Sequence, residues 1–433
     1  MKISVIGCGY LGAVHASAMA ELGHEVVGVD VDEAKIAMLS AGRAPFFEPG
    51  LPEILASALD SGRVRFTTDV SEVEGSRVHF VAVGTPQSKD SHAADLTYVD
   101  AAVHALLPHL ADGDLVVGKS TVPVGTAARL ADVIAAHGSG AALAWNPEFL
   151  REGYAVKDTL EPDRLVYGVS DAAATALLDE VYATALAAKT PRLVTDFATA
   201  ELVKVAANAF LATKISFINA MAEIAEVTGA DVTQLADAIG HDARIGRRFL
   251  NAGVGFGGGC LPKDIRAFSA RAEELGRGES VAFLKEVDAI NMRRRDKVAD
   301  LAVAALDGAV LGRKIAVLGV TFKPHSDDVR DSPALDVAVR LKGLGADVVA
   351  TDPEGLDNAR ARHPQLLYTV LAEEALRHAD LAVLVTEWPE YTGLDPWHVA
   401  TIMRGRRVID ARNALDPVAW RAAGFCYTGL GRG

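Results

Sequence analysis

The sequence of 433 residues predicts an α/β protein in which two doubly wound sheets are joined by a central helical region. Short β-branched runs alternate with Ala-rich helical stretches at both ends of the chain, which is typical of β–α–β units in a parallel sheet. Between Asp196 and Thr228 the sequence contains neither Gly nor Pro and repeats apolar residues at helical spacing, which predicts one long helix. We therefore expect an α/β domain over 1–195, a central helical domain over 196–306 and a second α/β domain over 307–433.

Each predicted strand is a short apolar run bounded by turn residues or by a helical stretch. In the N-terminal domain the predicted strands are Lys2–Ile6, Glu25–Asp30, Val78–Val83, Leu115–Lys119, Leu143–Asn146 and Arg164–Gly168. In the C-terminal domain they are Lys314–Val320, Asp347–Thr351, Leu381–Thr386 and Arg407–Ala411. We expect the strands of each domain to be parallel, because helical stretches separate them.

An apolar stripe runs along the predicted long helix. Its members recur at helical spacing and are Leu202, Ala206, Phe210, Phe217, Met221 and Ile224. The helix is longer than most helices of globular proteins. We therefore expect it to connect the two α/β domains and to form much of a two-fold dimer interface, since symmetric dimers are the commonest oligomers.

Composition excludes several classes of protein. The net charge is −14, which argues against nucleic-acid binding, although a local cluster of Lys and Arg can still bind a small anion. Half of the residues are hydrophobic and 23% are charged, which suits a large core and excludes wholesale disorder. No uninterrupted apolar run approaches the ~18–20 residues of a membrane helix, so we expect a soluble protein with no membrane partner.

The cysteines and histidines suggest neither a disulfide framework nor a metal site. Only Cys8, Cys260 and Cys426 occur, no two form a CxxC pair, and the histidines show no HExxH or clustered spacing. We therefore expect no metal cofactor and a cytoplasmic location. The Ala-rich N-terminus faintly resembles a signal peptide, but three early glycines would interrupt its apolar segment.

A glycine-rich turn, Gly7-Cys8-Gly9-Tyr10-Leu11-Gly12, connects the first strand to a helix. The glycines permit a tight turn, a close approach to a pyrophosphate and close helix–strand packing, and the helix N-terminus attracts negative charge. The second strand ends in Asp30, at the spacing expected of a carboxylate that binds the adenosine ribose. Such a carboxylate repels a 2′-phosphate, so the pattern predicts a Rossmann domain that binds NAD rather than NADP. The alternative is that Asp30 and Asp32 only cap a turn or a helix.

The segment Gly253–Asp264 contains clustered glycines followed by Cys260, Pro262 and Lys263. The glycines let the backbone approach a ligand, and Pro262 suits the first turn of a helix. Cys260 at a helix N-terminus beside Lys263 would be stabilised as a thiolate and could act as a nucleophile. From these residues alone, a small buried structural cysteine is the commoner alternative.

Further polar residues lie at the ends of predicted elements. Lys204 and Asn208 share one face of the long helix, and Lys204 is either a snorkelling surface residue or a partly desolvated group that handles protons or stabilises an oxyanion. The segments Lys119–Thr126 and Asn146–Gly153 each follow a strand, where an open parallel sheet binds its ligand. Their alternatives are an ordinary Ser/Thr turn and a capped helix start.

Together these segments resemble the UDP-glucose/GDP-mannose dehydrogenase family over nearly the whole chain. The matching motifs are Gly7–Gly12, Val83–Pro86, Lys119–Thr126, Asn146–Gly153, Lys204 with Asn208, Gly255–Asp264 and Thr321–Asp331. So many motifs in one order favour the nucleophilic interpretation of Cys260. The resemblance implies NAD as cofactor and a sugar-nucleotide substrate, whose CH₂OH group is oxidised to a carboxylate while two NAD are reduced in sequence.

The resemblance also implies the catalytic roles. Cys260 adds to the aldehyde, the adduct loses hydride to a second NAD, and water cleaves the resulting thioester. Lys204 stabilises negative oxygen in these steps. Asp264 and Thr121 organise water and protons, and Glu148 assists as a general base. The expected catalytic set is Cys260, Lys204, Asp264, Thr121, Glu148 and Asn208.

By the same resemblance, two sets of residues are expected to bind the ligands. Residues expected near NAD are Gly7, Gly9, Tyr10, Leu11, Gly12, Asp30, Lys35, Thr85, Thr121, Glu152, Lys263 and Arg330. Residues expected near the sugar nucleotide are Glu148, Phe149, Leu150, Arg151, Glu152, Lys204, Asn208, Phe249, Leu250, Asn251, Ala252, Gly253, Gly257 and Lys323.

The motifs over Lys119–Thr126 and Lys323–Asp331 resemble the UDP-glucose branch, which favours conversion of UDP-glucose to UDP-glucuronate in nucleotide-sugar metabolism and polysaccharide biosynthesis. Phe256, Gly259 and Leu261 depart from that branch, where Tyr, Ser and Phe are usual, and such changes beside the nucleophile could shift the sugar preference. One alternative is the same chemistry on GDP-mannose, UDP-N-acetylmannosamine or a dTDP-sugar. Two others are a catalytically silent NAD- and nucleotide-binding regulator and a two-electron alcohol dehydrogenase, which gives the cysteine no role.

Overall fold

The computed structural model describes residues 1–432, which form two compact units. The first unit comprises residues 1–207 and 270–276, and the second comprises residues 208–269 and the chain from 277 onward. Each unit contains one sheet flanked by helices, which confirms the predicted α/β class with two Rossmann-like sheets. The three-domain division at 195 and 306 stays a prediction.

The sheet of the first unit has eight strands in the order β3-β2-β1-β4-β5-β6-β7-β8. The strands are β1 Lys2–Ile6, β2 Glu25–Val29, β3 Val64–Thr67, β4 Val78–Val81, β5 Leu115–Gly118, β6 Ala142–Trp145, β7 Leu165–Val169 and β8 Arg192–Thr195. All six predicted strands are present, whereas β3 and β8 were not predicted. The expectation of a wholly parallel sheet is wrong at one pair, because β6 and β7 are antiparallel.

The helices of this unit cover both faces of the sheet and bury two apolar clusters against it. Helix α1 is buried from Gly12 to Ala20, which explains its small residues. The remaining helices carry mixed polar and apolar faces. Their bounds are α1 Tyr10–Glu21, α2 Glu33–Ser40, α3 Leu51–Asp60, α4 Thr97–Leu106, α5 Thr126–His137, α6 Ala155–Leu160, α7 Ala172–Val181 and α8 Ala183–Ala187, with 3₁₀ turns at Val70–Val73 and Leu107–His109.

The sheet of the second unit has six parallel strands in the order β11-β10-β9-β12-β13-β14. The strands are β9 Lys314–Leu318, β10 Asp347–Thr351, β11 Leu367–Thr369, β12 Leu381–Leu384, β13 Arg407–Asp410 and β14 Cys426–Gly429. The four predicted strands are confirmed. In both sheets the strand order reverses beside the first strand, which creates the crevice where doubly wound proteins bind ligands.

Helix α9, Phe197–Thr228, is the long helix that the sequence predicts, and it begins in the first unit and continues into the second. The later helices are α10 Val232–Gly240, α11 Leu261–Glu274, α12 Phe283–Ala305, α13 Pro333–Gly343, α14 Leu356–Arg362, α15 Ala372–Leu376, α16 Pro389–Thr392, α17 Pro396–Ile402 and α18 Pro417–Ala422, with a 3₁₀ turn at Gly278–Val281. Within residues 1–432, α9 alone has the length and apolar composition that could span a membrane. This is weak evidence for a membrane span, because the core helices of soluble proteins meet the same test.

Candidate active site

The glycines of the turn between β1 and α1 differ in role. Gly7 has a φ of +90°, which suits glycine, and a Cβ on Gly12 would lie 1.7 Å from the Gly7 carbonyl oxygen. A Cβ on Gly9 would meet no heavy atom within 4 Å, and Gly9 precedes the first turn of α1 at Tyr10 and Leu11. Backbone N–H groups at a helix N-terminus favour a pyrophosphate. The turn therefore fits the phosphates of NAD, which would lie in the open space beside Gly9.

Asp30 is buried at the end of β2 beside this turn. Its carboxylate accepts hydrogen bonds from the Cys8 N–H at 2.8 Å and the Asp32 N–H at 3.0 Å, and it pairs with the Lys35 ammonium at 2.9 Å. Asp32, in contrast, caps α2 by accepting from the Lys35 N–H. Asp32 is therefore a helix cap and Asp30 binds the backbone of the turn, while its place at the end of β2 is also the one expected of a ribose-binding carboxylate.

Tyr10, which was expected near NAD, contacts a carboxylate that the sequence did not single out. The Tyr10 hydroxyl donates to Glu48, and the Glu48 carboxylate accepts from the N–H groups of Gly153 and Ala155 at 2.7 Å each. Burial above all, and the Glu48 and Glu152 carboxylates in addition, raise the pKa of Tyr10, so the hydroxyl stays a neutral donor. Glu48 thus joins the turn to the segment that follows Glu152.

The loops after β4 and β5 are bonded to each other at the carboxyl edge of the sheet. The Thr85 hydroxyl donates to the Thr121 carbonyl at 2.8 Å, and the Ser120 hydroxyl donates to the Val83 carbonyl. Glu201 of α9 accepts from the N–H groups of Gly125 and Ala127 and so caps α5. The structure therefore brings Thr85 and Thr121 together, and their contact with NAD stays a prediction.

Lys204 and Glu148 form a buried ion pair. Their Nζ and Oε1 atoms are 2.9 Å apart, and the exposed fractions of the two side chains are 6% and 14%. The Glu148 carboxylate also accepts from the Leu150 N–H, and the Lys204 ammonium lies 5.5 Å from the centre of the Phe149 ring. These contacts contradict the snorkelling interpretation of Lys204 and support a desolvated ammonium that can face a charged oxygen.

A second buried lysine, Lys119, lies in the same electrostatic environment. Its ammonium donates to the Asn146 side-chain oxygen at 3.0 Å and to the Tyr182 hydroxyl at 3.2 Å. Burial lowers the pKa of Lys119 to about 8; the Glu148 carboxylate raises it and the Lys204 ammonium lowers it further. Two ammonium groups therefore act on one carboxylate.

The rest of the segment after β6 is held by its own ion pair. Arg151 binds Asp158 through its backbone N–H and its guanidinium, at distances of 2.6 to 2.9 Å. The Arg164 guanidinium stacks on the Phe149 ring with 3.8 Å between its carbon and the ring centre. Glu152 is half-buried between these anchors. The segment is thus rigidly held in the first unit.

In the second unit, Cys260 lies at the N-terminus of α11. Its carbonyl accepts the Asp264 N–H at 3.0 Å, the first hydrogen bond of the helix, and its side chain is exposed. Cys8, in contrast, is buried, and burial raises the pKa of its thiol. The alternative of a buried structural cysteine is therefore wrong for Cys260 and right for Cys8. A thiolate at a helix N-terminus is stabilised by the helix dipole.

Asp264, one helical turn after Cys260, is buried and hydrogen-bonded on both oxygens. Its carboxylate accepts from the Asn208 amide and from the Lys263 ammonium, each at 2.6 Å. Lys263 was expected to stabilise a thiolate and to contact NAD, which stays a prediction; in the structure its ammonium also balances the Asp264 charge. The carboxylate, the amide and the ammonium form one polar cluster at the start of α11.

The glycines before Cys260 are explained by protein packing. A Cβ on Gly255 would lie 2.3 Å from the Asn291 side-chain oxygen, and a Cβ on Gly257 would lie 2.2 Å from the Asp331 carbonyl oxygen. A Cβ on Gly259 would lie 2.3 Å from the Arg330 guanidinium carbon. Protein packing therefore accounts for the absence of a side chain at Gly255 and Gly257, and the expectation that this segment lets the backbone approach a ligand stays a prediction.

Several residues that the sequence did not reveal fix the loop before Cys260. Asn291 exchanges two hydrogen bonds with the backbone of Phe256, at 2.7 and 2.9 Å. Asn219 accepts from the Gly253 N–H at 2.9 Å, and Arg412 donates to the Gly255 carbonyl at 2.9 Å. Each contact joins residues that are distant in the sequence, so no local motif could have identified it.

The remaining residues expected near the sugar nucleotide have varied surroundings. Leu250 and Ala252 are buried, whereas Phe249 is exposed and has a φ of +66°. Asn251 accepts from Arg247, and the Lys323 ammonium lies 5.2 Å from the centre of the Phe322 ring. Over residues 1–432, no three His, Cys, Asp or Glu side chains are grouped in a way that could hold a metal ion.

The turn after β1, with Asp30 beside it, places the chain among the NAD-dependent dehydrogenases with a doubly wound sheet. Sequence models of three domains match it in order: an NAD binding domain over residues 1–186, a central domain over 198–293 and a UDP binding domain over 316–417. All three describe one family. The chain belongs to the UDP-glucose/GDP-mannose dehydrogenase family.

Relatives of this chain match it over their whole length. A UDP-glucose 6-dehydrogenase of Rhizobium meliloti is 43% identical over 437 residues, covering 100% of both chains. The structure of a UDP-glucose dehydrogenase from Pyrobaculum islandicum is 40% identical, covers 100% of this chain and 98% of its own, and superposes with a TM-score of 0.91. The structure of a UDP-D-ManNAc dehydrogenase from Pyrococcus horikoshii is 28% identical, covers 100% of both chains and has a TM-score of 0.87.

We expect Gly12→Ala to lower the melting temperature of the NAD-free protein by roughly 5 °C or more, because its methyl group would collide with the Gly7 carbonyl oxygen. Gly9→Ala is the matched control, since Gly9 has a φ of −70° and open space around its Cβ position. It should melt like the wild type yet bind NAD more weakly. Differential scanning calorimetry and NAD titration measure both effects, and a Gly12→Ala protein as stable as the control would contradict this account.

Proposed function

We propose that this protein oxidises UDP-glucose to UDP-glucuronate with two NAD. The observation that carries the proposal is the exposed Cys260 at the start of α11, one turn before the buried Asp264. A two-electron alcohol dehydrogenase has no use for such a thiol, whereas oxidation of an aldehyde to a carboxylate does. Family membership and the UDP binding domain over 316–417 support a sugar nucleotide as substrate.

NAD, when bound at the turn after β1, accepts a hydride in each of the two oxidations. In the first, the C6 hydroxyl of the glucose loses its proton as C6 loses hydride. Lys204 holds its proton beside the Glu148 carboxylate and stabilises negative charge on the substrate oxygen, while Glu148 takes up the released proton. Burial of the pair strengthens both interactions, because the local dielectric is low.

In the second oxidation, the Cys260 thiolate adds to the aldehyde carbon and forms a thiohemiacetal. Loss of hydride from that carbon gives a thioester, and attack by water then releases the carboxylate and restores the thiolate. Asp264, with Asn208 and Lys263 on its oxygens, orients water and accepts its proton. Thr121 assists in ordering water. The overall reaction consumes one water and two NAD and releases two NADH and three protons.

The proposal is tested by measuring NADH formation with a panel of sugar nucleotides, with the product identified by its mass. We expect UDP-glucose to react fastest and to give two NADH per UDP-glucuronate. NADP should be poorer by roughly two orders of magnitude, because its 2′-phosphate would meet the Asp30 carboxylate. A faster reaction with GDP-mannose, UDP-N-acetylmannosamine or a dTDP-sugar would reassign the substrate, and no NADH from any of them would indicate a silent regulator.

We expect Cys260→Ser to bind UDP-glucose and NAD normally but to lose at least roughly 1,000-fold in turnover, because a serine alkoxide is far harder to form than a thiolate. Any ester formed would also be cleaved more slowly than a thioester. Cys426→Ser, which changes the other exposed cysteine on the edge strand β14, is the matched control and should be fully active. Unchanged turnover and stoichiometry in Cys260→Ser would remove the thiol from the mechanism.

We also propose that the protein is a cytoplasmic homodimer without nucleic-acid or membrane partners. A reducing compartment keeps a reactive thiol such as that of Cys260 in its reduced form. On α9, Phe210, Phe217 and Ile224 are spaced by seven residues, and their exposed fractions are 67%, 49% and 56%. Residues seven apart share a helix face, so these side chains form an exposed apolar stripe of the kind that pairs across a two-fold axis.

We expect the wild type to be a dimer by light scattering at micromolar concentration. Phe217→Asp should weaken that dimer roughly 30-fold or more, because a charge would be buried in the apolar contact. Trp397→Asp is the control, since Trp397 is an equally exposed aromatic residue on α17. A monomeric wild type, or equal effects of both variants, would refute the role of the α9 stripe.

A further inference from the structure

Glu48 is a buried carboxylate that the proposed chemistry does not use. It lies between α2 and α3, and its exposed fraction is 2%. Burial of a carboxylate is costly unless hydrogen bonds compensate for the lost water. Three donors supply that compensation, and none of them comes from the neighbouring sequence.

Two of the donors directly follow the residues expected to bind the sugar nucleotide, Glu148–Glu152. The Gly153 N–H donates to Glu48 Oε2 at 2.7 Å, and the Ala155 N–H donates to Oε1 at 2.7 Å. Gly153 directly follows Glu152, the residue expected near both ligands, and has a φ of +80°. One carboxylate therefore fixes the backbone on the C-terminal side of Glu152 at two points.

The third donor belongs to the cofactor turn. The Tyr10 hydroxyl donates to Glu48 Oε2 and also accepts from the Gly153 N–H at 3.2 Å. Tyr10 is the first residue of α1, directly after Gly9. Glu48, Tyr10 and Gly153 thus form a closed triangle of hydrogen bonds that joins the two ligand-binding segments within the first unit.

Charge-assisted hydrogen bonds of this kind are stronger than neutral ones and fix geometry when they are buried. A shift of Tyr10 on NAD binding would be transmitted to Gly153 through Glu48, and a shift of Gly153 on substrate binding would be transmitted back. Such coupling is reciprocal, because each ligand changes the affinity of the other by the same factor.

We propose that Glu48 is a positioning residue that places Glu152 and couples binding of NAD to binding of the sugar nucleotide. The proposal rests on the proposed function for the identity of the ligands. It assigns Glu48 no contact with the reacting atoms. Its effect reaches the chemistry only through the backbone at Gly153 and through the Tyr10 hydroxyl.

The test compares Glu48→Gln, which keeps the shape but loses the charge, with Tyr10→Phe, which removes only the hydroxyl. The sugar nucleotide that gives the fastest NADH formation serves as substrate. Binding of that sugar nucleotide is titrated with and without NADH, and KM and kcat are measured for both ligands. Asp171→Asn, which alters a carboxylate cap on α7 at 2.8 Å from the Ala174 N–H, is the control for loss of a helix cap.

We expect the wild type to show coupled binding of the two ligands. Glu48→Gln should abolish that coupling and lower kcat/KM for both ligands by at least roughly tenfold. Tyr10→Phe should lose the coupling with a smaller change in kcat, and the double variant should resemble Glu48→Gln alone, because both changes break one triangle. Asp171→Asn should lose some thermal stability and keep the wild-type coupling and kinetics.

Wild-type protein without coupling would overturn the proposal, as would a folded Glu48→Gln protein with coupling and kcat/KM within twofold of the wild type. Should Glu48→Gln fail to fold, Tyr10→Phe decides, and unchanged coupling in that variant overturns the proposal. If UDP-glucose is not the fastest substrate, only the identity of the sugar fails. If no sugar nucleotide gives NADH, the proposed function fails, and the coupling is then measured by binding alone.

Discussion

Backbone N–H groups that donate to buried carboxylates hold the loops at the carboxyl edges of both sheets in place. Asp30 accepts from Cys8 and Asp32, and Glu201 accepts from Gly125 and Ala127. Asp352, Asp410 and Glu48 act in the same way on other loops. A loop at a ligand crevice cannot satisfy its N–H groups within a strand or helix, and an unsatisfied buried N–H costs about 1–3 kcal/mol. The carboxylates remove that cost and fix the geometry at the same time.

Each sheet has a glycine turn that is bound by an aspartate. A difference between the two arrangements explains why only the first sheet carries an NAD-binding motif. Gly7 donates to the last residue of β2, and Gly319 donates to the last residue of β10, both at left-handed φ values. Asp30 and Asp352 directly or closely follow those strands and bind the turn. Asp352, however, accepts from the Thr321 hydroxyl and the Trp388 indole as well as from backbone N–H groups on both oxygens, whereas Asp30 Oδ1 accepts the Asp32 N–H and has room for a ribose hydroxyl.

The sequence predicted the inner strands of each sheet and missed the edge strands for a physical reason. The four strands without a prediction, β3, β8, β11 and β14, are the four edge strands, and their residues are partly exposed. Edge strands need no continuous apolar run, so they leave little signal in a single sequence. The antiparallel β6–β7 pair was missed because local sequence does not encode strand direction.

The same distinction applies to the site. The NAD turn and the Cys260 helix start are local, and the sequence predicted both. The pairing of Lys204 with Glu148 and the hydrogen bonds of Glu48 and Asn291 join residues far apart in the chain. A single sequence contains residue types and spacings but no distances, so the sequence left the environment of Lys204 open and did not mark Glu48 or Asn291 at all.

Packing also determines how the three departures from the UDP-glucose branch bear on the choice of sugar. Phe256 is buried in an apolar cluster with Ile265 and Leu284, and Leu261 packs against the same cluster. The Cβ position of Gly259 is filled by the guanidinium of Arg330, a residue expected near NAD rather than near the sugar. Each substituted side chain would therefore meet protein atoms of the second unit. Phe256 and Leu261 therefore contribute to core packing and Gly259 leaves room for Arg330, so the three departures are not evidence for a different sugar.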